Sequence, residues 1–476
     1  MANQIVSNKN RRYEIVKKLG EGGFGAVFEV KCVDDGKNYA FKFFTPSDKL
    51  DMQKAQRNIK RNIDSLVDKP LKYSDGKIVE SLVRPLEMIN SIPGKEGFGY
   101  IMELRDTSQC GTIFKSWKKY EIYKPDAKQT CEICIKIAKV FDRIHASGRG
   151  YKDVNEGNIY FDLQNNQVYI MDCDNIAADN IDTILGTVYY LAPEVFVTGI
   201  PNAVSDRYSM AVYFYRLMVG GYPLEGKKTI RYIMDNGLDD ARVEDVKKVY
   251  DQTTLFAFDE NDKSNSIVNV TDSKIPDALK NQWAVQAEFW NMLPAPIKAM
   301  FQKVFGENLK GTAIDRRPTE SQWIRAFEEV LKSGIVKCKC GKHNYVGNGT
   351  CLFCGKKLPD PPPVVAPPPP KAVKYKVLSG KNSGKEFYTD KLKGADVLPS
   401  VFTGSEIVLE SVLYSQNRQM MKIRNTSGSS IKVSYPGNDT VSVVNGGSVF
   451  LTLKTEIEIS ISGKGSVKLR VDAFKA

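Results

Sequence analysis

The segment YKDVNEGNIYFDLQNNQVYIMDCD (residues 151–174) contains three polar side chains that can meet in one cleft. Asp153 and Asn158 are five positions apart on a stretch with the composition of a tight loop. The turn residues LQNNQ then separate two short strand patterns, so a hairpin returns Asp172 to their side. Amide and carboxylate oxygens are ligands that Mg²⁺ prefers, and a carboxylate that holds no metal can accept a hydroxyl proton. The segment therefore predicts a phosphoryl-transfer site, with Asp153 as the base and the other two residues as magnesium ligands.

The order of further motifs along the chain is that of the protein kinases. YKDVNEGN resembles the kinase catalytic loop, and DCD resembles the kinase metal motif DFG. The upstream GEGGFGAV resembles the glycine-rich loop over the ATP phosphates. A dinucleotide-binding fold has similar glycines, but there they open a helix, whereas here the valine and phenylalanine of AVFEV continue as a strand. The remaining landmarks are YAFKFF around Lys42, GTVYYLAPE (186–194), SDRYSMA (205–211) and DRRPT (315–319). The resemblance implies a bilobal α+β protein-kinase fold over residues 8–334, with its lobes at 8–103 and 104–334.

This resemblance implies a role for each residue of the site. Asp153 is expected to orient the substrate hydroxyl and take its proton. Asn158 and Asp172 are expected to hold Mg²⁺ or Mn²⁺, and Lys42 to contact the phosphates of ATP. The other expected ATP contacts are the glycine-rich loop, the adenine pocket and the segment at the adenine edge, namely Gly20, Gly22, Gly23, Gly25, Val27, Ala40, Met102, Glu103 and Arg105. Thr187 occupies the position typical of serine/threonine kinases, so the expected substrate is Ser or Thr of a protein.

The chain departs from the kinase pattern inside the site. Asn155 replaces the lysine that kinases normally have two residues after the catalytic aspartate. Because a positive charge beside the transferred phosphate is lost, we expect a slower enzyme. Lys152 replaces an arginine and lacks its bidentate fork, so phosphorylation of the activation loop is not the expected switch. In DCD, Cys173 and Asp174 replace an aromatic residue and a glycine, and Asp174 either binds metal or faces solvent. These departures keep a second function open, a nucleotide-binding pseudokinase scaffold with weak or no transfer.

The partner of Lys42 is also unusual. Kinases normally take it from a glutamate on the helix after that strand, yet no glutamate occurs between Lys42 and Glu80. The helical segment KLDMQKAQRNIKRNIDSLV offers Asp51 and Asp64, of which Asp64 has the better spacing. We therefore expect Asp64 to pair with Lys42, with the helix closer to the strand because aspartate is shorter. The alternative is a solvated acid on a basic helix.

Several other positions are expected to have structural roles. In DRRPT, Arg317 is expected to pair with Glu194. His145 matches a position that is often histidine in kinases, and packing is its expected role. Cys131 and Cys134 lie in an apolar pattern with helical spacing, which predicts buried cysteines and no metal site there.

A narrower resemblance concerns the second half of the kinase region. LFAFDENDKSN (255–265), followed by Trp290, Phe301, Phe305 and Trp323, resembles a bacterial group of such kinases. Members of that group are typically encoded beside a von Willebrand A domain protein and a metal-dependent protein phosphatase. These two proteins and a phosphorylated protein substrate are the partners that the resemblance implies.

Four cysteines lie close together after the kinase region. KCKCGKHNYVGNGTCLFCGKKL contains Cys338, Cys340, Cys351 and Cys354 in two pairs, each followed by a glycine turn. Thiolates in such pairs suit tetrahedral Zn²⁺, and the segment, residues 335–358, resembles a zinc ribbon. Because the first pair is more closely spaced than usual, His343 is an alternative ligand. So short a segment has little core, and the metal would supply much of its folding free energy.

The rest of the chain contains a linker and a strand-rich region. LPDPPPVVAPPPPK predicts an extended spacer over residues 359–372. From 373 to 476, short segments rich in β-branched residues alternate with Gly, Asn and Ser turns, which predicts an all-β antiparallel sandwich. KIRNTSGSS and NGGSVFL resemble a forkhead-associated domain, but that family's phosphopeptide-binding arginine and serine-histidine pair cannot be placed. We therefore expect a docking or structural module.

The overall composition favours a globular, cytoplasmic protein. The 476 residues are 42% hydrophobic, and the start of the chain lacks the apolar core of a signal peptide. No apolar run approaches the roughly 18 residues needed to span a bilayer. The net charge of +12 suggests nucleic-acid binding, but the basic residues are scattered except between Lys54 and Arg61. Without interleaved aromatic residues, that patch is better explained as a solvated kinase surface. A nucleic-acid-binding adaptor therefore ranks third, after an ATP- and Mg²⁺-dependent serine/threonine kinase and the scaffold.

Overall fold

The computed structural model separates into two compact units, Met1–Pro361 and Pro362–Ala476. Within them the structure describes residues 4–22, 25–45, 52–67, 69–92, 94, 96–118, 124–178, 186–239, 242–307, 309, 311–359, 373–379, 383–388, 407–414, 418–436, 440–452, 454–462 and 465–474. Apart from Pro359, the predicted proline-rich linker lies outside these residues.

The first unit begins with a six-stranded antiparallel sheet. Its strands are β1 (Gln4–Val6), β2 (Arg12–Gly22), β3 (Gly25–Cys32), β4 (Asn38–Phe44), β5 (Pro85–Ile89) and β6 (Phe98–Glu103), in the spatial order β1-β2-β3-β4-β6-β5. Because side chains alternate between the faces of a strand, Phe41 and Phe43 join one apolar cluster, and Ala40 and Phe44 join another. Lys42 therefore shares a face of β4 with Ala40 and Phe44.

Helix α1 (Met52–Val67) follows β4 in the chain and lies beside β5 and the 3₁₀ turn Cys173–Asn175. It buries Ile59 and Leu66, which are seven positions apart and therefore share one side of the helix. At 3.6 residues per turn, position 64 falls roughly opposite them. Asp64 is accordingly exposed.

The second lobe of this unit is mainly helical. Its helices are α2 (Ile113–Lys118), α3 (Ala127–Ala146), α4 (Val195–Thr198), α5 (Ala203–Met218), α6 (Lys227–Asn236), α7 (Val243–Thr253), α8 (Asp277–Met292), α9 (Ala295–Phe301) and α10 (Glu320–Ser333), with a π-helical turn at Gln302–Glu307 and 3₁₀ turns at Val188–Tyr190, Lys263–Asn265 and Gly311–Arg316. Capping boxes at Asp126, Asn202 and Thr319 begin α3, α5 and α10. Helix α5 is buried along most of its length and supports the catalytic loop. Among the residues described, no helix combines the length and apolar character needed to cross a bilayer.

The segment that contains the candidate site includes four short strands. β7 (Arg149–Gly150) pairs with β10 (Ala177–Ala178), and β8 (Ile159–Asp162) pairs with β9 (Gln167–Ile170). Ile159 lies opposite Ile170, and both are fully buried. The predicted hairpin is therefore present, with its turn between β8 and β9.

The cysteine segment packs on the second lobe. Its strands β11 (Ile335–Lys337) and β12 (His343–Tyr345) pair antiparallel. Tyr345 is buried in the core of the lobe, and the backbone N–H of His343 donates to Asp126 at 2.9 Å. The sequence patterns do not predict this packing, which ties the segment to Asp126, the N-cap residue of α3.

The second unit contains two antiparallel sheets in the residues that the structure describes. The strands are β13 (Val373–Val377), β14 (Glu386–Tyr388), β15 (Ile407–Tyr414), β16 (Arg418–Asn425), β17 (Ile431–Ser434), β18 (Thr440–Val443), β19 (Ser448–Leu451), β20 (Glu456–Ile461) and β21 (Gly465–Phe474). One sheet has the order β14-β13-β21-β20-β17-β18, and the other has the order β15-β16-β19. Buried side chains from both sheets, such as Ile423 and Leu469, belong to one hydrophobic cluster. This arrangement is consistent with the predicted sandwich.

Candidate active site

Asp206, near the start of α5, holds the catalytic loop in place. Its carboxylate accepts hydrogen bonds from the backbone N–H groups of Tyr151 at 2.5 Å and Lys152 at 2.9 Å. Lys152 has a φ of 70°, a conformation that is uncommon for residues with a side chain, and the two bonds help to maintain it. The sequence patterns did not single out Asp206, although the motif SDRYSMA marked its helix.

Asp153 lies in this loop among amide groups. Its carboxylate accepts hydrogen bonds from the side chains of Asn155 at 3.1 Å and Asn158 at 3.0 Å. The backbone N–H of Thr187 adds a third bond at 3.2 Å. Burial and the charge of Asp172 raise the pKa of Asp153 to about 6, although the hydrogen bonds oppose this rise. A carboxylate with this pKa is ionised at neutral pH and suits a general base.

Asn158 and Asp172 are neighbours because of the hairpin. The backbone N–H of Met171 donates to the carbonyl oxygen of Asn158 at 2.8 Å, which places Asp172 beside Asn158. The amide nitrogen of Asn158 donates to Asp153, so its amide oxygen is the atom that it can offer to a metal ion. An amide oxygen and a carboxylate are ligands that Mg²⁺ accepts, and this donor set fits the predicted metal.

Lys42 is paired with the two carboxylates of the DCD motif. Its ammonium lies 3.0 Å from Oδ2 of Asp172 and 3.3 Å from Oδ2 of Asp174. Burial opposes the charged form of Lys42, but the two carboxylates outweigh burial and raise its pKa above the ordinary value. Of the two roles considered for Asp174, exposure to solvent is wrong, because only 8% of this residue is exposed.

The expected pair between Asp64 and Lys42 does not form. Asp64 is exposed on α1, opposite the side that carries Ile59 and Leu66 into the core. Its spacing along the sequence is compatible with a pair, but the rotation of the helix turns its side chain away from β4.

The predicted adenine pocket is lined by apolar residues from both lobes. Ala40 and Met102 are buried and lie opposite each other in the β4–β6 pairing, and Val27 packs against their cluster. Tyr169 and Met171, from the hairpin and the residues after it, belong to the same cluster. The sequence patterns did not predict these two contributions, because they depend on how the lobes close on each other.

Glu103 and Arg105, expected at the adenine edge, form an ion pair with each other. The guanidinium of Arg105 also lies over the ring of Tyr169, 5.4 Å from its centroid. Arg105 therefore lies beside the cluster that contains Ala40 and Met102, and Glu103 is the last residue of β6.

The described part of the glycine-rich loop closes the β2–β3 hairpin. Gly20 lies opposite Val27, and Gly22 lies opposite Gly25. Gly25 has a φ of 151°, and a Cβ atom there would lie 1.8 Å from the carbonyl oxygen of Phe43, so only glycine fits. Gly23 lies outside the described residues.

The activation segment meets the catalytic loop at both of its described ends. The ammonium of Lys152 donates to the carbonyl oxygen of Ala178 at 2.7 Å. At the other end, a Cβ atom on Gly186 would lie 2.7 Å from the carbonyl oxygen of Lys152, so glycine permits the close approach. Residues 179–185, between these contacts, lie outside the described residues.

Two buried ionic contacts stabilise the second lobe around the site. Arg317 and Glu194 form the expected pair through two hydrogen bonds of 2.5 and 2.8 Å, with the Arg317 side chain fully buried. His145 lies between two carboxylates, with Nδ1 2.8 Å from Glu320 and Nε2 3.2 Å from Asp206. His145 therefore connects α10 to the residue that anchors the catalytic loop.

The four clustered cysteines converge on one point. All four Sγ atoms of Cys338, Cys340, Cys351 and Cys354 lie within 4.8 Å of one another, and two of the separations are 3.6 and 3.7 Å. A tetrahedral zinc site with Zn–S bonds of about 2.3 Å places its sulfur atoms about 3.8 Å apart. The imidazole of His343 binds Asp126 instead, at 2.9 Å, and is not the ligand that the sequence left open. Cys131 and Cys134 are buried in α3, as predicted.

Comparison with known proteins agrees with this geometry. Residues 13–286, more than half of the 476-residue chain, match the family model for the protein kinase domain. The chain belongs to the protein kinase family. This kinase is 24% identical to human cGMP-dependent protein kinase 2 over 226 residues, which is 46% of this chain and 27% of that protein.

Other relatives are similar over nearly the same length. The kinase is 25% identical to mouse cGMP-dependent protein kinase 2 over 219 residues, 45% of this chain and 26% of that protein. It is 24% identical to human ribosomal protein S6 kinase alpha-2 over 225 residues, 45% of this chain and 28% of that protein. The similarity thus spans about a quarter of the length of these relatives. The predicted kinase family is confirmed, while the narrower bacterial group remains a prediction.

Proposed function

We propose that this kinase transfers the γ-phosphate of ATP, with Mg²⁺ or Mn²⁺, to serine or threonine residues of a protein. The observation that carries the proposal is the convergence of Asp153, Asn158, Asp172 and Lys42 in one cleft. The apolar cluster around Ala40 and Met102 supplies a surface suited to adenine. The names of the relatives and the position of Thr187 support serine or threonine as the acceptor.

Each side chain has a distinct task in this proposal. Asp153 accepts the proton of the substrate hydroxyl, and its bond to Thr187 keeps the carboxylate turned towards the activation segment. Lys42 binds and orients the phosphates by its charge. Mg²⁺, when bound by Asn158 and Asp172, supplies charge neutralisation at the phosphates. Most of the acceleration then comes from positioning and electrostatics.

Asn155 sets a limit on the expected rate. It donates to Asp153 and so maintains the geometry of the loop, but it brings no positive charge to the transferred phosphate. This observation motivates the second candidate, a nucleotide-binding scaffold without transfer. The two candidates differ in one measurable quantity, the incorporation of phosphate into protein.

The decisive experiment is transfer of label from [γ-³²P]ATP to a generic basic protein, with Mg²⁺ or Mn²⁺ and with a chelator as a blank. The proposal expects label on serine or threonine that disappears with Asp153→Asn. Asp75→Asn, in an exposed turn, is the matched control and should retain the full rate. Nucleotide binding without any transfer would support the scaffold, and label that persists in Asp153→Asn would refute the assigned base.

We also propose that the four cysteines bind one Zn²⁺. The sulfur separations fit tetrahedral coordination. In addition, the side chain of Asn344 and the backbone N–H of Phe353 both donate to Cys351 Sγ at 3.4 Å, and such bonds stabilise a metal-bound thiolate.

The partners remain proposals that rest on the resemblance of residues 255–265. In the structure Phe258 stacks on Trp290 with ring centroids 4.6 Å apart, so these residues belong to the core of the second lobe. Co-purification of the kinase with a von Willebrand A domain protein or a metal-dependent phosphatase encoded beside it would support the proposal. If such neighbours exist and neither binds the kinase nor serves as its substrate, the proposal fails.

A further inference from the structure

We infer that Asp174 and Tyr100 replace the missing helix glutamate and hold Lys42 in position for the phosphates of ATP. The inference rests on the proposed function and deepens it. It gives Asp174 a positioning role towards Lys42, which differs from both roles that the sequence left open for this residue, a metal ligand or a solvated acid.

The contact between Asp174 and Lys42 is buried and involves both carboxylate oxygens. The Lys42 ammonium lies 3.4 Å from Oδ1 and 3.3 Å from Oδ2 of Asp174. Only 14% of the Lys42 side chain and 9% of the Asp174 side chain are exposed. A buried charge must be paired to be tolerated, so this arrangement constrains Lys42 more than a surface ion pair would.

Tyr100 fixes the other side of Asp174. Its hydroxyl donates to Oδ1 of Asp174 at 3.2 Å, and the tyrosine is fully buried. In the β4–β6 pairing Tyr100 lies directly opposite Lys42, so the two side chains leave the same face of the sheet next to each other. The carboxylate is thus held by one donor from each of two adjacent strands.

The composition of α1 agrees with this substitution. The helix contains a single acidic residue, Asp64, which is exposed and borders a groove with the basic side chains of Arg57, Lys60 and Arg61. The kinase pattern has glycine at the position of Asp174, and glycine offers no carboxylate. This chain therefore has no glutamate on the helix where the kinase pattern has one. It has an aspartate, Asp174, at the position where that pattern has glycine.

The alignment of Lys42 should not depend on the position of α1. In the family pattern the lysine is aligned only when the helix brings its glutamate to the strand. Here the aligning carboxylate lies on the same turn as Asp172, the proposed metal ligand. Lys42 should therefore stay aligned whenever the DCD turn is in place.

The test is a double-mutant cycle on Lys42 and Asp174, using the full chain. The variants are Asp174→Asn, Lys42→Met and the double variant, with Tyr100→Phe as a milder probe and Asp64→Asn as the matched control. Three quantities are measured for each: kcat, ATP affinity and adenosine affinity. Tryptophan fluorescence confirms folding.

The inference predicts that Asp174→Asn lowers kcat by about 10-fold or more, as expected for loss of a hydrogen bond to a charged group. Tyr100→Phe should lower kcat less, and Asp64→Asn should not change it. In the Lys42→Met background, Asp174→Asn should change neither kcat nor ATP affinity, because its effect passes through Lys42. Adenosine affinity should be the same in all variants, since adenosine has no phosphates.

Equal effects of Asp174→Asn with and without Lys42 would overturn the inference and indicate a direct metal ligand. An effect of Asp64→Asn as large as that of Asp174→Asn would also overturn it, as would an effect on adenosine affinity. Failure of the proposed function looks different: the unaltered chain would transfer no phosphate. In that case the ATP and adenosine affinities of the same variants still decide whether Asp174 acts through Lys42.

Discussion

The buried histidine at the base of the catalytic loop makes stability depend on pH. His145 lies 2.8 Å from Glu320 and 3.2 Å from Asp206, and 6% of its side chain is exposed. Burial alone would lower its pKa, but hydrogen bonds to the two carboxylates outweigh burial and raise the pKa to about 9. An unfolded histidine has a pKa of about 6.5.

The raised pKa determines whether the stability increases or decreases with pH. The folded state binds the proton of His145 more tightly than the unfolded state does, so its stabilisation is complete below about pH 6.5. It is lost as pH rises towards 9. The difference between the two pKa values corresponds to about 3 kcal/mol of unfolding free energy.

Urea unfolding at pH 6.5 and pH 9.5 measures this contribution. All four tryptophans, at positions 117, 283, 290 and 323, belong to the first unit, so their fluorescence reports its unfolding. The chain should lose about 3 kcal/mol more between the two pH values than His145→Gln does. Gln164→Asn, at an exposed position without a titratable side chain, is the control and should lose as much as the unaltered chain. Equal losses in the unaltered chain and His145→Gln would refute the reasoning.

Three further predictions concern the active site, a buried pair and the cysteines. Asn155→Lys should raise kcat by about 10-fold, because it returns a charge beside the transferred phosphate, whereas Asn155→Gln should not; steady-state kinetics would detect either outcome. Arg317→Ala should lower the unfolding free energy by about 3 kcal/mol in the same urea assay, since it leaves Glu194 without its bidentate partner, and an unchanged midpoint would contradict this. Metal analysis should find about one Zn²⁺ per chain, lost in Cys351→Ser with Cys354→Ser, and protein purified without chelator that contains no metal would contradict the site.

Local patterns predicted much of the fold correctly. The hairpin that pairs Ile159 with Ile170 follows from alternation and turn residues alone. The pair between Arg317 and Glu194 follows from motif order and is present. In both cases the decisive information lies either in a few consecutive residues or in a motif with a fixed place in the kinase pattern.

Contacts across the cleft were harder to predict. The spacing of Asp64 was compatible with a pair to Lys42, but spacing does not specify how a helix is rotated about its axis. Asp174 reaches Lys42 because the DCD turn lies under the sheet, and this depends on the packing of both lobes. The burial of Tyr345 in the core of the second lobe likewise depends on packing between segments that are far apart in the sequence.

The most direct test of the account is a crystal structure of the chain with a non-hydrolysable ATP analogue and Mn²⁺, with the metal located by anomalous scattering. The account predicts an anomalous peak in contact with Asn158 and Asp172, and phosphates within hydrogen-bond distance of the Lys42 ammonium. A cleft without nucleotide, or a metal bound away from these residues, would contradict it.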